Sequence, residues 1–159
     1  MKVGMLLRGG AITAAISACA LIASPAFAGE CPAGKTGVDV TPPGPMAPSG
    51  VTDTVIASID LGQGYNIPGR QLRMRRLVIE PGGVVPWHSH AERPANIYVL
   101  SGQVTEYRST CSEPILHREG EVVPEQGPTS HWWRNNSRRR AVLLSADILP
   151  PQGNPDQSM

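Results

Sequence analysis

From Val51 onward the apolar positions of the chain fall into short, closely spaced groups with the two-residue period of extended backbone, and no window carries the three-and-four spacing of an amphipathic helix. β-Branched residues recur in these groups, and glycine or proline interrupts them at short intervals. Val51 to Leu61, with Val55, Ile56, Ile59 and Leu61 among small polar residues, predicts a first strand. Leu72 to Glu80 predicts a second, with Arg73 and Arg75 on one face and an end at Pro81-Gly82-Gly83. The stretch around Trp87-His88-Ser89-His90 follows, then Asn96 to Leu100 and Gln103 to Arg108 as a hairpin about Ser101-Gly102. Ile115 to His117, Val122-Val123, Trp132-Trp133 and Ala141 to Leu144 complete the set, ending at Ile148-Leu149. Many short strands in one domain predict an all-β sandwich or barrel spanning residues 51–149.

The two ends break this pattern. Residues 1–28 begin with Lys2 and Arg8, continue as an apolar run too short to span a membrane, and close on Ala26-Phe27-Ala28. That is the layout of a secretory signal peptide cleaved after Ala28, which places the mature protein in the periplasm or outside the cell. Ile16-Ser17-Ala18-Cys19 offers the alternative of a lipid-bearing Cys19. Residues 29–50 are dense in proline and glycine and predict an extended arm over the surface. Residues 150–159 predict a flexible tail. Of the 3 cysteines, Cys31 and Cys111 survive cleavage. An even count in an oxidising compartment predicts a disulfide that ties the arm down, since neither thiol has the close Cys or His partner of a metal site.

Charge narrows the range of partners. Loss of Lys2 and Arg8 leaves 12 of the 14 basic side chains against 13 acidic ones, with none of the footprint of a nucleic-acid binder. The run Arg138-Arg139-Arg140 sits between Asn135-Asn136-Ser137 and an apolar strand, and reads as a solvated turn. Once the signal is removed, no membrane-binding segment is expected.

The chemistry concentrates on histidine. In an extended strand His88 and His90 point to one face and Ser89 to the other, an arrangement that can hold a metal ion if a third ligand joins them. His131 is the candidate, so three of the 4 histidines form a possible centre and only His117 falls elsewhere.

These residues carry a resemblance. Gly82, His88, His90 and Gly102 match the first motif of the cupin family, G-x5-H-x-H-x(3,4)-E-x6-G, and Gly120, His131 and Asn135 match the second, G-x5-P-x-G-x2-H-x3-N. The resemblance implies a double-stranded β-helix, a jelly-roll barrel with a divalent metal inside. It also exposes departures: Ala95 stands at the motif glutamate, Gln126 at the proline and Pro128 at the glycine. Three histidines remain as ligands for Fe, Zn, Ni, Cu or Mn, as in the family's three-histidine dioxygenases. Glu92, two residues after His90, is the candidate substitute carboxylate or acid-base group, ahead of Glu125 and Glu106. Ala95, Ile97, Val99 and Trp133 are expected to line the pocket, and Trp87 and Trp132 to face outward, where they would suit a homodimer contact. The expected function is a metal-dependent, dioxygenase-like enzyme acting on a small organic molecule. The alternative is a metal- or ligand-binding cupin without turnover.

Overall fold

The computed structural model describes residues 29–151. The expected signal peptide with Cys19 lies outside the described residues, as do residues 152–159. Eight strands form: β1 (Ser49–Asp60), β2 (Gln71–Ser89), β3 (Ala95–Ser101), β4 (Gln103–Arg108), β5 (Ile115–Arg118), β6 (Val122–Glu125), β7 (Ser130–Arg134) and β8 (Ala141–Leu149). All pairings are antiparallel, in the order β5-β4-β7-β2-β8-β3-β6, with β1 on β2. No helix of the described residues is long and apolar enough to cross a membrane. The fold is all-β, as the strand pattern predicts, and a jelly roll, as the resemblance implies.

One expected boundary is absent. Pro81-Gly82-Gly83 does not end the second strand; β2 runs straight through it and changes partners there. Before the glycines β2 pairs with β1 and β8, and after them with β7, with Val84 also opposite Ser49 of β1. Gly82 adopts φ 79°, a left-handed conformation that favours glycine. A Cβ on Gly83 would lie 2.7 Å from the Gly50 carbonyl oxygen. The kink is held by Asn135, just past the end of the neighbouring strand β7: Gly82 N–H donates to its carbonyl at 2.8 Å, and its own N–H donates to Gly83 O at 3.0 Å. Its side-chain Nδ2 donates to the carbonyls of Ile79 and Arg139. Turn residues thus steer the strand from one wall to the other instead of stopping it, which is how jelly-roll corners form.

Alternation then sorts the side chains. Leu77, Ile79, Val85, Ile97, Val99, Val104, Val123, Trp133 and Leu143 form the core, with Ala95 and Ala141 filling the tight places. The opposite faces stay wet, and Leu72, Met74, Tyr98, Leu100 and Val122 are exposed. Trp87 and Trp132 do face outward, but neither forms the open contact surface expected of them. The arm crosses here, with Trp87 N–H donating to Pro45 O at 2.8 Å and Gly44 packed so closely on the Trp132 ring that a Cβ would lie 2.3 Å from it. Trp132 also stacks on Tyr107 at 4.0 Å. The Arg138–Arg140 turn is exposed, with Arg140 pairing to Glu80. Pro150, the first residue of the expected tail, is buried.

The arm is fastened by the Cys31–Cys111 disulfide, Cα–Cα 5.6 Å, and by a β-bridge between Thr36 and Cys111. The bond closes a loop across a sequence separation of 80. In the chain-entropy description such a loop is worth about 4 to 5 kcal/mol, an upper figure. The Cys31→Ser, Cys111→Ser double variant is therefore expected to unfold at lower urea by up to that amount. The check is a urea titration of both proteins with and without reductant. A wild type insensitive to reductant, with two free thiols on non-reducing peptide mapping, would contradict it.

Candidate metal centre

Three strand ends deliver the centre. On β2 and β7, His88 stands directly opposite His131 in the ladder, so both side chains leave the same face. His90 lies just past the end of β2, and its backbone N–H donates to Thr129 O at 2.9 Å, which keeps it aligned with that face. The three Nε2 atoms form a near-equilateral triangle with edges of 3.0, 3.0 and 3.1 Å. Glu125, at the end of β6, closes the group with Oε2 2.8 Å from His90 Nε2. The four ligating atoms all lie within 4.8 Å of one another.

The ring partners fix what those nitrogens are. His88 Nδ1 faces Pro86 O at 2.8 Å, His90 Nδ1 faces Arg93 O at 2.8 Å and His131 Nδ1 faces Glu106 Oε1 at 2.5 Å. Each of these partners is an acceptor and draws a ring proton to Nδ1, which leaves Nε2 to offer a lone pair to an ion. At His131 the Trp133 Nε1–H also approaches the ring, 3.2 Å from Nδ1 and 3.4 Å from Nε2. The three Nε2 atoms and a carboxylate oxygen converge, and Glu125 Oε1 is buried without a hydrogen-bond partner. This donor set fits a cation. Burial, reinforced by His131 and His90, holds His88 well below its ordinary pKa and keeps it neutral. At His131 burial acts in the same direction, but Glu125 and Glu106 outweigh it and raise the pKa.

Behind His131 lies a second layer. Glu106 is fully buried on β4 and accepts from His131, from His117 Nε2 at 2.9 Å and twice from Arg108 at 2.8 Å. Burial alone would raise its pKa; the His117 and His131 donors, with Arg108, hold it well below the usual carboxylate range. His117 is also fully buried and stacks on Trp133 at 4.8 Å. A carboxylate that fixes the tautomer and orientation of a ligating histidine is the usual outer partner of a metal site.

A family model described as a cupin domain matches residues 75–147. The chain belongs to the cupin superfamily. Among solved structures, the cupin domain of Cnp3 from Schizosaccharomyces pombe superposes on this cupin with a TM-score of 0.51 at 8% identity, covering 62% of this chain and 64% of that one. KdgF from Halomonas sp. gives 0.48 at 15% identity, covering 62% and 78%. A protein described as a predicted oxalate decarboxylase from Thermotoga maritima gives 0.44 at 18%, covering 65% and 98%. This cupin thus spans under two thirds of the Cnp3 domain, and at these identities the likeness is one of fold. No curated protein matches the chain.

The cupin motifs locate the carboxylate question. The three motif histidines come together as the sequence implies, but Glu92 does not join them. β2 ends at Ser89, so strand alternation no longer applies at Glu92, which is exposed in a bend and whose backbone oxygen accepts from Arg70. The carboxylate in this cupin's cluster is Glu125. It faces Ala95 across the β3–β6 ladder, so the acid sits one strand away from the motif position, on the same face, over a residue small enough to leave room. The β3–β6 register was the missing signal, because it is what pairs an alanine at a ligand position with a glutamate. Of the expected pocket residues, Ile97 and Trp133 line a cavity of about 20 Å³ beside His88, His90 and Glu125, room for little more than one water centre. Val99 lies deeper in the core and Ala95 faces a separate cleft with Pro94, Asn96 and Gln126. Arg75, Leu77, Val85 and Leu143 complete the cavity.

Proposed function

We propose that this cupin holds one divalent transition-metal ion, from the set Fe, Zn, Ni, Cu and Mn, through His88, His90 and His131 with Glu125 as fourth ligand, and acts with it as a dioxygenase-like enzyme on a small organic molecule. The observation that carries the reading is the convergence of three imidazole Nε2 atoms and a buried carboxylate on one point. When bound, the ion supplies a Lewis acid or a redox centre. The chain's own part is to hold it and shape its surroundings. Pro86 O, Arg93 O and Glu106 fix the ring orientations, while Leu77, Val85, Ile97, Trp133 and Leu143 exclude bulk water. The Cys31–Cys111 disulfide supports a working place in an oxidising compartment, periplasmic or secreted.

The second reading is a binder without turnover. It is favoured by the lining itself: among the described residues, the cavity carries no acid or base beyond the ligand set and Arg75. Metal analysis of protein purified without a histidine tag tests the common part of both readings. About one equivalent is expected, and under about a tenth, with none regained on reconstitution, would overturn both. Oxygen uptake by the loaded protein with diketones, thiols and phenols separates them, since a full site that consumes no oxygen is a binder. The ligand assignment has its own test. Glu125→Gln is expected to weaken metal binding by about 2.5 to 4 kcal/mol, the share of one ligand of four, whereas Glu92→Gln leaves it within about twofold. Equal effects in a competitive chelator titration would return Glu92 to the site.

A further inference from the structure

The arm carries its first described residue onto the layer behind the histidine centre. A Cβ on Gly29 would lie 1.8 Å from His117 Nδ1 and 2.0 Å from its Cε1, and the backbone there has φ 58°, so only glycine fits. By ordinary bond lengths and angles the Gly29 nitrogen lies about 2.5 Å from that Cβ position, hence no more than about 4.3 Å from Nδ1. The following residues hold it there: Cys31 is bonded to buried Cys111, Ser112 N–H donates to Lys35 O at 2.9 Å, and Gly37 N–H donates to Thr110 O at 3.0 Å. The His117 ring itself is fully buried. Glu106, accepting at 2.9 Å, draws the ring proton to Nε2 and leaves Nδ1 an acceptor. That Nδ1 has no hydrogen-bond partner among the described residues, and the carboxylate beside it, Glu121 Oε2 at 3.9 Å, is another acceptor. A buried acceptor without a donor has given up its hydration for nothing.

We propose that the α-amino group freed at Gly29 docks on His117 Nδ1, with the Glu121 carboxylate beside it, and completes the hydrogen-bond chain that runs through Glu106 to His131. The inference goes beyond the proposed function and rests on the cleavage expected after Ala28, to which it gives a part in forming the centre. Before cleavage the Gly29 nitrogen offers a single N–H whose direction the peptide plane fixes. After cleavage it is an ammonium with three donors that turn about the N–Cα bond, and Glu106 and Glu121 offset its charge. A donor at Nδ1 locks the ring proton on Nε2. His117 then holds one Glu106 oxygen and leaves the other to His131 Nδ1, so the amine is a positioning group for a ligand histidine.

The test compares the full chain after export from a secretory host, its first residue read by N-terminal sequencing, with a form that starts at Ala26 and is made without export in an oxidising cytoplasm. In the second form a peptide bond replaces the Gly29 amine. Nitrogen-15 spectra of the histidine rings, taken metal-free, are the first readout. His117 Nδ1 is expected upfield in the exported protein, as a lone pair that accepts a hydrogen bond is, and back downfield in the extended form. Chelator competition for cobalt(II) is the second, with the extension expected to weaken the metal about tenfold, the low end for losing an outer partner. His117→Phe should abolish that difference between the two forms. Gly29→Ala, whose methyl would meet the ring, should imitate the extension in an exported chain and carries the test if His117→Phe does not fold. A first residue other than Gly29, or identical His117 spectra in the two forms, overturns the proposal and leaves the metal reading standing. A shifted His117 with equal cobalt affinity in both forms overturns the link to the centre. A shifted His117 with no cobalt uptake by either form upholds the docking and overturns the proposed function instead.

Discussion

Replacing His88 with alanine is expected to lower metal affinity by roughly a hundredfold to several hundredfold, since roughly 10 to 16 kcal/mol shared over four ligands is about 2.5 to 4 kcal/mol per ligand. His88 is the cleanest of the three histidines to remove. Its Nδ1 bonds only to Pro86 O and it is half-buried, whereas removing His131 would also strip a donor from Glu106. The effect on stability should change sign with metal. In the metal-free wild type three ring nitrogens crowd one another at 3.0 to 3.1 Å inside the barrel, so deleting one relieves the crowding, and the apo variant should melt at or above the apo wild type. With metal at about a thousand times its dissociation constant, the wild type gains about 4 kcal/mol that the variant does not. Thermal melts of both proteins, with chelator and with excess metal, read all four states. A wild type whose melting does not respond to metal would contradict the centre.

Glu106→Ala should be the most damaging single change away from the ligands. The carboxylate answers His117, His131 and Arg108 at once inside the barrel, and its loss leaves those donors buried and unpaired. Breaking a buried pair from one side costs about 3 to 5 kcal/mol. Metal affinity should fall as well, by about 10- to 100-fold, because His131 loses the acceptor that sets its tautomer. Glu106→Gln separates the two effects. It keeps the shape and one acceptor oxygen, so most of the stability should return, while its amide nitrogen can satisfy only one side. Urea unfolding gives the first quantity and chelator competition the second. If Glu106→Ala binds metal like the wild type, Glu106 serves the core alone.

Much of this protein was legible in the order of its residues. Two-residue alternation and frequent glycine and proline are local properties, and they set the all-β class, the hairpin at Ser101-Gly102 and the shared face of His88 and His90. The spacing of His88, His90 and His131 within two motifs likewise named the three histidines of the candidate centre, since alternation and the glycine turns between strands carry it. The cysteine count anticipated the bond between Cys31 and Cys111.

Tertiary structure decided the rest, because cross-strand register and burial are not local. Pro81-Gly82-Gly83 reads as a stop until Asn135, more than fifty residues later, supplies the hydrogen bonds that turn it into a corner. Glu92 reads as the substitute acid because it is near in sequence, yet Glu125 holds the place because β6 lies beside β3 with Ala95 opposite it. Glu106 and Arg93 are ordinary charged residues in the sequence. Only the closed barrel takes them out of water, and that desolvation makes one carboxylate the anchor of His131 and leaves the Arg93 guanidinium nitrogens buried without a hydrogen-bond partner.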